Sequence, residues 1–449
     1  MQSVNPANLE IISSYTPYND EEIINKINLS QKDFLLWKNE NLNIRKNLLL
    51  KVADESRKNA LYHAKIITSE MGKPIKESQS EVEKCAWVCE YYAENSIKFL
   101  SDKEIQSSSS KSYLSYEPLG LILGVMPWNF PYWQVFRFIA PCLMAGNACL
   151  LKHASNVSGC ALAIEGIIKD IYPLKNLLNV LLIKPSQVEN VVKNDFVKAV
   201  TLTGSDEAGS SVASLAGKEI KKSLLELGGS DPFIVLSDAN IDNAVKMGVK
   251  SRFLNSGQSC IAAKRFIVDK EVYDEFVDKV RIEIENLRMD NPLLEHTDIG
   301  PLAKEEFSHE LKSLVDSSVK KGARLLLGGN AHNCFFEPTL LVDVTESMDV
   351  FRKETFGPVL CVSKSESDNH ALELANNSCY GLSASIWTES VSKASCFVSG
   401  LNAGAVFVND MSKSDPRLPF GGINKSGYGR ELSELGLKEF VNIKTVVYK

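Results

Sequence analysis

The chain has 449 residues, too many for one ordinary hydrophobic core, so we expect two or three structural domains. Hydrophobic residues make up 44% of the chain and charged residues 24%, as in a typical soluble globular protein. The formal net charge of -6 leaves no basic excess to neutralise phosphates, which argues against a nucleic-acid partner.

Neither a secretory signal nor a membrane span is expected. The N-terminus lacks a basic stretch followed by an apolar one. The most apolar window, residues 135–151, includes Arg137 and Pro141, so a buried helix followed by a turn is the better interpretation. Ten cysteines without a C-x-x-C motif or a compartment signal indicate reduced thiols in the cytoplasm, and no metal site is expected.

In chain order, the first hundred residues have apolar side chains at helical spacing and predict helices. Four serines at 107–110 interrupt this pattern, and the segments around them predict a hairpin or projecting ribbon over 103–118. From residue 119, short apolar runs alternate with helical stretches, which predicts a parallel, doubly wound sheet. Ligands of such sheets bind at the carboxyl ends of the strands. Three of these ends fall at residues 127–131, 152–155 and 203–205.

A second alternating region begins near residue 229 and contains seven further strand candidates, which predicts another α/β domain. The chain closes with FVNIKTVVYK, which predicts a lone, exposed strand. An unpaired edge strand promotes aggregation unless something covers it, and pairing with another subunit would do so.

Two loops at the predicted strand ends carry candidate ligand groups. In VTLTGSDEAG, Ser205 stands near the start of a helix, where free N–H groups suit a phosphate. The segment lacks the G-x-G-x-x-G fingerprint, so a plain strand-to-helix turn would look the same. In PWNFP, two prolines stiffen the loop around Asn129, whose amide would suit an oxyanion donor. A purely structural proline turn is the alternative.

Two further stretches carry an acid and a thiol. In LLELGGSDP, Glu226 lies in an apolar run, and burial would raise its pKa toward the range of a base that works near neutrality. The alternative is a glutamate paired with a neighbouring cation. In NSGQSC, Cys260 follows a helix among small polar residues that leave access for a ligand, unlike the other nine cysteines. A single free cysteine can also be inert.

Six motifs together resemble the aldehyde dehydrogenase superfamily: PWNFP, TGS, LELGG, GQSC, ETFGPV and PFGG-x-x-KSG-x-GRE, in this order. The resemblance runs from about residue 15 to the C-terminus. It implies an α/β fold with two doubly wound domains and a β oligomerisation element. We therefore expect a cofactor-binding domain over 1–102 and 119–228, a catalytic domain over 229–424, and an oligomerisation element over 103–118 and 436–449. The protein is then expected to form a homodimer or homotetramer.

The resemblance also implies a mechanism for three residues. The Cys260 thiolate attacks the aldehyde carbon, and the Asn129 amide and the Cys260 backbone N–H hold the oxyanion. Glu226 activates the water that hydrolyses the thioester. This base also argues against the acylating, coenzyme A-dependent relatives.

For the cofactor, the resemblance implies NADP or NAD. Many members that prefer NAD carry a glutamate three residues after the family lysine, here Lys152, but this chain has Ser155. A serine leaves room for a 2′-phosphate, so NADP is favoured. The full expected cofactor site comprises Trp128, Lys152, Ser155, Gly204, Ser205, Leu227, Glu354 and Phe356.

Within the superfamily, the sequence is most similar to the shorter bacterial succinate-semialdehyde dehydrogenases. These carry an arginine at the position of Arg137, where a guanidinium fork matches a substrate carboxylate. Ser414 or Arg417 would complete that site. Leu254 replaces a second arginine of some members, and Ala262 replaces a redox-switch cysteine. An arginine in a salt bridge at the pocket wall is the alternative.

The predicted function is therefore oxidation of succinate semialdehyde to succinate. Two alternatives stand beside it. One is the same chemistry on an uncharged aliphatic or aromatic aldehyde, and the other is a non-catalytic binding or structural protein with this fold.

Overall fold

A computed structural model describes all residues, 1–449. The helices are α1 Asp20–Trp37, α2 Leu42–Lys58, α3 Ala60–Met71, α4 Ile75–Phe99, α5 Trp133–Met144, α6 Ser158–Ile171, α7 Val188–Lys193, α8 Asp206–Lys218, α9 Ile241–Phe253, α10 Tyr273–Glu285, α11 Glu305–Lys320, α12 Asp349–Arg352, α13 Asp368–Asn376, α14 Val391–Gly400 and α15 Ser433–Lys438. The first ten strands are β1 Gln2–Val4, β2 Ile11–Ser14, β3 Lys103–Glu104, β4 Lys111–Pro118, β5 Leu121–Met126, β6 Ala148–His153, β7 Leu178–Val180, β8 Val197–Thr203, β9 Lys222–Glu226 and β10 Asp231–Val235. The other ten are β11 Ala263–Asp269, β12 Arg324–Leu327, β13 Ala331–His332, β14 Phe335–Phe336, β15 Thr339–Val342, β16 Val359–Ser365, β17 Ser383–Trp387, β18 Ala405–Val408, β19 Gly427–Tyr428 and β20 Val441–Tyr448.

The first hundred residues are mainly helical, as predicted. Asn19 and Glu22 form a reciprocal capping box that fixes where α1 begins, and α3 ends at Gly72 in the left-handed conformation. The sequence analysis missed the short antiparallel pair β1 and β2, since strands of three and four residues are too short for a clear alternation. No helix is both long enough and apolar enough to cross a membrane, and residues 133–144 form the buried helix α5.

The first large sheet has six strands in the order β19-β9-β8-β5-β6-β7, all parallel except β19. Its strands are buried on both faces because helices cover both sides, which explains their continuous apolar runs. Gly124 in β5 lies so close to α5 that a Cβ atom would stand 2.5 Å from the Phe138 ring. A glycine is therefore required where this helix packs on the sheet.

The second sheet has seven strands in the order β12-β15-β16-β11-β10-β17-β18, parallel except for the edge strand β12. Its two faces carry separate hydrophobic clusters of 22 and 21 buried residues. The chain passes from the first sheet to the second between Glu226, which ends β9, and Asp231, which begins β10. The candidate nucleophile lies just before β11 of the second sheet.

The C-terminal strand is not alone, so this part of the sequence analysis was wrong. β20 pairs with β4 along its whole length, from Val441 opposite Pro118 to Tyr448 opposite Lys111, and β3 adds a third strand. The prediction failed because pairing between residues more than 300 positions apart leaves no local signal. The predicted ribbon at 103–118 is confirmed, and the second edge of β20 is unpaired within the chain.

The contact between Gly124 and Phe138 yields a stability prediction. Replacing Gly124 with alanine should lower the free energy of unfolding by about 1–3 kcal/mol, because the new methyl group overpacks the interface between β5 and α5. Gly166→Ala is the matched control. Gly166 lies in α6 with no atom within 4 Å of its added Cβ, so this change should be neutral or stabilise by up to about 1 kcal/mol. Urea unfolding of both variants measures the difference, and equal stabilities would contradict the packing argument.

Candidate active site

The segment just before the candidate nucleophile has a left-handed backbone. Asn255, Ser256 and Gly257 have φ angles of 54°, 52° and 76°, a region that is costly for residues other than glycine. The Asn255 amide supports this conformation by donating to the carbonyl oxygens of Asn129 at 2.7 Å and Gln258 at 3.1 Å. Backbone strain of this kind persists only where its surroundings hold it, and it clusters at functional sites.

The buried guanidinium of Arg252 holds the same segment. It donates to the carbonyl oxygens of Gly257 at 2.9 Å and Thr355 at 3.1 Å, and it contacts that of Gly357. Burial lowers the pKa of Arg252 to about 10, because no carboxylate pairs with this charge. Arg252 thus ties the loop of the candidate nucleophile, residues 255–260 (below, the nucleophile loop), to the ETFGP segment, residues 354–358. No sequence motif indicated this role.

Cys260 is the one half-exposed cysteine: seven others are buried, and Cys379 and Cys396 lie on the surface. It lines a cavity of about 730 Å³ whose walls come mainly from α4, α5, α9 and the segment 411–414. Desolvation raises the pKa of the Cys260 thiol to about 12, although the charges of Arg137 and Lys264 act against this rise. In the protein alone the thiol is therefore protonated, and a base or an added positive charge must generate the thiolate.

Lys264 fixes the backbone around this cysteine. Its buried ammonium donates to the carbonyl oxygens of Ser259 at 3.0 Å and Cys260 at 2.7 Å, and it lies 3.0 Å from a carboxylate oxygen of Glu354. Glu354 also accepts the backbone N–H of Gly229 at 3.2 Å. The predicted cofactor residue Glu354 is therefore linked to the nucleophile loop through its ion pair with Lys264.

Asn129 is buried beside the same loop. Its Nδ2 donates to the Gln258 carbonyl oxygen at 3.0 Å, and its Oδ1 accepts from Nε2 of Gln134 at 2.9 Å. The amide therefore has a fixed orientation against Gln258, which precedes Cys260 by two residues in the chain. Because an amide nitrogen carries two hydrogens, one donor is left for a ligand.

Glu226 ends β9 and is fully buried, and neither of its oxygens has a hydrogen-bond partner. Burial and then the negative charge of Glu431 raise the pKa of Glu226 well above 4.5, while Arg137 and Arg430 oppose the shift. The negative charge of ionised Glu226 in turn raises the pKa of the Cys260 thiol. The expected alternative, a Glu226 salt bridge, does not occur, and the unpaired, buried carboxyl holds its proton more tightly than an exposed glutamate does.

Arg137, the predicted substrate-carboxylate ligand, lies on α5 and lines the cavity, but it already has an anionic partner. Its Nε forms a buried ion pair with Glu431, its Nη2 donates to Thr203 Oγ1 at 3.3 Å, and its guanidinium lies 4.8 Å from the centre of the Phe420 ring. The salt bridge that the sequence analysis kept as an alternative is present. Glu431, in the GRE motif, was not singled out from the sequence because its partner is almost 300 residues away.

Ser414, the second predicted substrate residue, also lines the cavity, and it accepts a hydrogen bond from Nζ of Lys84 at 2.7 Å. Lys84 extends from α4, with its ammonium 4.3 Å from the centre of the Trp133 ring. No sequence motif distinguishes Lys84 from the chain's many other helical lysines. Arg417, the alternative to Ser414, forms an exposed pair with Asp415 at 2.6 Å and does not line the cavity.

The predicted cofactor residues of the first sheet lie at the carboxyl ends of adjacent strands. Lys152 is in β6, its ammonium has no anionic partner, and burial lowers its pKa. Ser155 follows on an exposed turn. Gly204 and Ser205 follow β8, and the Ser205 hydroxyl caps α8 by accepting from Ala208 at 3.3 Å. An unpaired cation at one strand end and a helix N-terminus at another suit a dinucleotide's ribose hydroxyls and phosphates.

Three further predicted cofactor residues make apolar contacts: Trp128 with Phe356, and Leu227 with α8. The Trp128 ring lies 5.7 Å from that of Phe356 at 88°, in an edge-to-face contact, and stacks on Phe307 at 5.0 Å. Leu227 packs on Gly209 of α8, where a Cβ atom would stand 2.5 Å from its Cδ2. The structure thus gathers the predicted residues around the strand ends, and it holds no cluster of three metal-ligating side chains.

His153 is a further residue that the sequence analysis missed. Its Nδ1 accepts the N–H of Ala154 at 2.9 Å, and its Nε2 lies 2.9 Å from the carbonyl oxygen of Pro131. The Nδ1 also lies 3.1 Å from the carbonyl oxygen of Met126, and burial lowers the pKa of the ring to about 4, which favours its neutral form. His153 therefore anchors the PWNFP loop, and with it Asn129, to the end of β6.

Comparisons with known proteins agree with this geometry. The pattern of the aldehyde dehydrogenase family matches residues 1–446. A probable succinate-semialdehyde dehydrogenase [NADP(+)] of Synechocystis sp. is 44% identical over 447 residues, 99% of this chain and 98% of that protein. The succinate-semialdehyde dehydrogenase [NADP(+)] of Mycobacterium avium is 42% identical over 459 residues, 99% of this chain and 96% of that protein.

Solved structures show the same fold. The succinic semialdehyde dehydrogenase of Streptococcus pyogenes, crystallised with NADP+, superposes with a TM-score of 0.97 at 35% identity and covers 99% of both chains. Sequence and structure therefore agree over the whole length, and the chain belongs to the aldehyde dehydrogenase family.

Proposed function

We propose that this protein oxidises succinate semialdehyde to succinate with NADP+ as the preferred hydride acceptor, NAD+ being the poorer alternative. The observation that carries the proposal is the placement of Cys260 on a cavity that also presents cationic side chains, with the unpaired acid Glu226 nearby. The names of the Synechocystis, Mycobacterium and Streptococcus relatives support both the substrate and the cofactor.

The chain's own residues account for the chemistry at the aldehyde carbon. The Cys260 thiol releases its proton to water, and the thiolate sulfur forms a bond to that carbon. The carbonyl oxygen becomes an oxyanion that the free Asn129 N–H and the Cys260 backbone N–H stabilise. The bound dinucleotide supplies the acceptor for the hydride that leaves this carbon. Glu226 then takes a proton from water as it attacks the thioester, which releases the carboxylic acid and the thiol. These roles also require water access to Glu226.

For the cofactor, we assign Lys152, Glu354, Gly204 and Ser205 to the riboses and the pyrophosphate. Trp128, Leu227 and Phe356 form the apolar surroundings. Ser155 decides between the two dinucleotides in this proposal, because its exposed hydroxyl can donate to a 2′-phosphate and brings no negative charge.

We also propose the domain division stated above, with a cofactor-binding domain over 1–102 and 119–228 and a catalytic domain over 229–424. The change of sheet between β9 and β10 supports a boundary near residue 228. The segments 103–118 and 436–449 would join two copies of the chain in a homodimer or homotetramer, and the unpaired edge of β20 supports that role. A cytoplasmic location completes the proposal.

The proposed substrate and cofactor are tested by a steady-state panel. We expect a kcat/KM for succinate semialdehyde at least about tenfold above that for butanal, the uncharged four-carbon aldehyde, because one charged contact contributes at least that factor. Cys260→Ser should abolish turnover, whereas Cys379→Ser, at an exposed thiol, should not. Equal values for the two aldehydes would contradict the substrate, and an absence of any aldehyde-dependent reduction would indicate a non-catalytic protein.

Ser155→Glu tests the cofactor assignment. A carboxylate at this exposed position should repel the 2′-phosphate, so kcat/KM for NADP+ should fall at least about tenfold while that for NAD+ stays within about threefold. Ser392→Glu adds the same charge at an exposed, remote position of α14 and should change neither value. A parallel loss with both dinucleotides would count against a role of Ser155 in selecting the phosphate.

Glu226→Gln tests the base and predicts a pH effect on stability. Steady-state turnover should fall by about 10²–10⁴-fold, with a pre-steady-state burst of reduced cofactor retained, because only thioester hydrolysis needs the base.

Since the folded-state pKa of Glu226 is raised, the folded wild type holds a proton that the unfolded chain releases above its ordinary pKa of 4.5. Wild-type stability should therefore decline more steeply than that of Glu226→Gln from about pH 5 upward. An equal dependence of the free energy of unfolding on pH in the two proteins, measured by urea unfolding, would contradict the raised pKa.

A further inference from the structure

Lys84 presents a positive charge to the cavity of Cys260 without an anionic partner. Its Nζ donates to Ser414 Oγ at 2.7 Å and faces the Trp133 ring, but no carboxylate oxygen lies within the 4 Å of an ion pair. The environment disfavours this charge: burial and then the neighbouring Arg137 lower the pKa of Lys84 to about 8. A desolvated, unpaired ammonium in a ligand cavity is stabilised when an anion binds beside it.

The acidic side chains around Lys84 are all engaged elsewhere. Glu81, one helical turn before it, pairs with buried Lys73 and accepts the backbone N–H groups of Tyr132 and Trp133 at 2.8 and 2.9 Å. Asp415 is held by the Arg417 side chain. Neither carboxylate is free to move toward Lys84 without losing these bonds.

Glu77, one further turn back on α4, accepts the backbone N–H of Asn255 at 2.7 Å. Burial raises the pKa of Glu77 to about 7, so it is a weak source of negative charge for the cavity. The other acidic residues that line the cavity, exposed Glu283 on α10 and Asp298, form no ion pair with Lys84. An anion from outside the chain can therefore complete the site.

The other cations of the cavity do not share this property. Arg137 is neutralised by Glu431, Lys76 pairs with Asp298 at 2.6 Å, and Lys413 pairs with Asp410. Two more lysines, Lys246 and Lys250, lie on the exposed side of α9. Lys84 is the partly buried cation of this cavity whose charge is unbalanced.

We propose that Lys84 binds the distal carboxylate of the substrate, with the Ser414 hydroxyl as the second donor. Ser414 accepts from Lys84, so its own hydrogen is free and has no acceptor in the chain. The inference rests on the proposed function and extends it: the cavity selects aldehydes with a carboxylate at the far end, and Arg137 acts mainly on the charges of the active site. An aldehyde with a distal ammonium should be excluded by Lys84.

Lys84→Met tests the assignment, because it removes the charge and keeps most of the stem. We expect the KM for succinate semialdehyde to rise about 10- to 100-fold with kcat changed less than about threefold, and the KM for butanal to stay the same or fall. Lys250→Met, at an exposed lysine of the same cavity, should leave both values within about twofold. Lys84→Arg, which keeps the charge, should restore most of the affinity for the acid.

A second measurement does not depend on turnover. Succinate, the product, should bind the wild-type protein in calorimetry and bind Lys84→Met about tenfold more weakly or worse. If Lys84→Met fails to fold, Ser414→Ala replaces it, with the same expected direction for the acid and no effect on butanal.

The outcomes separate the two claims. A wild type that does not prefer succinate semialdehyde over butanal refutes the proposed substrate, and the role of Lys84 falls with it. A wild type that prefers the acid, together with variants at Lys84 and Ser414 that keep this preference and bind succinate normally, overturns the role of Lys84 alone. In that case the proposed function stands and Arg137 is the carboxylate ligand.

Discussion

The candidate active site depends on the cost of burying positive charges whose partners are mostly backbone carbonyl oxygens. Arg252 has carbonyl oxygens as its partners, and Lys264 has two such oxygens and only one carboxylate, that of Glu354. Each of these carbonyls belongs to the nucleophile loop or to the ETFGP segment. Because a buried cation that loses its acceptors is strongly destabilising, both segments are held where they satisfy it. The left-handed backbone at Asn255 and Ser256 is the consequence, and it sets the position of Cys260.

The same low-dielectric surroundings set the proton chemistry. Burial raises the pKa of both Glu226 and Cys260, so in the protein alone each group favours its neutral form. Arg137 opposes both shifts, and Glu431 moderates Arg137 by pairing with it. The site thus holds a buried acid with a raised pKa beside a thiol whose ionisation is favoured by added positive charge. This arrangement keeps the thiol unreactive until a ligand completes the site.

The sequence was sufficient for the residues that stand in compact motifs. Cys260, Asn129 and Glu226 each lie in a short segment whose own composition indicates access, stiffness or burial, and Ser205 could be placed at a helix start from local pattern alone. Most individual strands could also be predicted, because apolar runs at strand length are a local signal. The purely structural interpretation of each single motif became less probable once all six motifs were considered in order, because six motifs in this order rarely occur together by chance.

The residues that support the site could not be found in this way. Arg252, Glu431 and His153 act through partners that are distant in the chain or are backbone carbonyl groups, and neither leaves a pattern in the sequence. The pairing of β20 with β4 escaped prediction for the same reason, since the strand itself carries no sign of which edge it joins. Hydrogen bonds across long sequence separations are decided by the tertiary fold.

Lys84 and Arg137 show how sequence motifs and tertiary contacts together identify a ligand-binding residue. From sequence, Arg137 is the stronger candidate for a carboxylate ligand, because its position in a motif and its guanidinium fork both favour it. In the fold, the value of a cation for binding depends on the partners it already has. Glu431 compensates the charge of Arg137, whereas the fold engages Glu81 and Asp415 elsewhere and leaves Lys84 with a neutral hydroxyl. A substrate carboxylate gains most from the charge that is least compensated, and the cavity therefore favours an anion at Lys84 over one at Arg137.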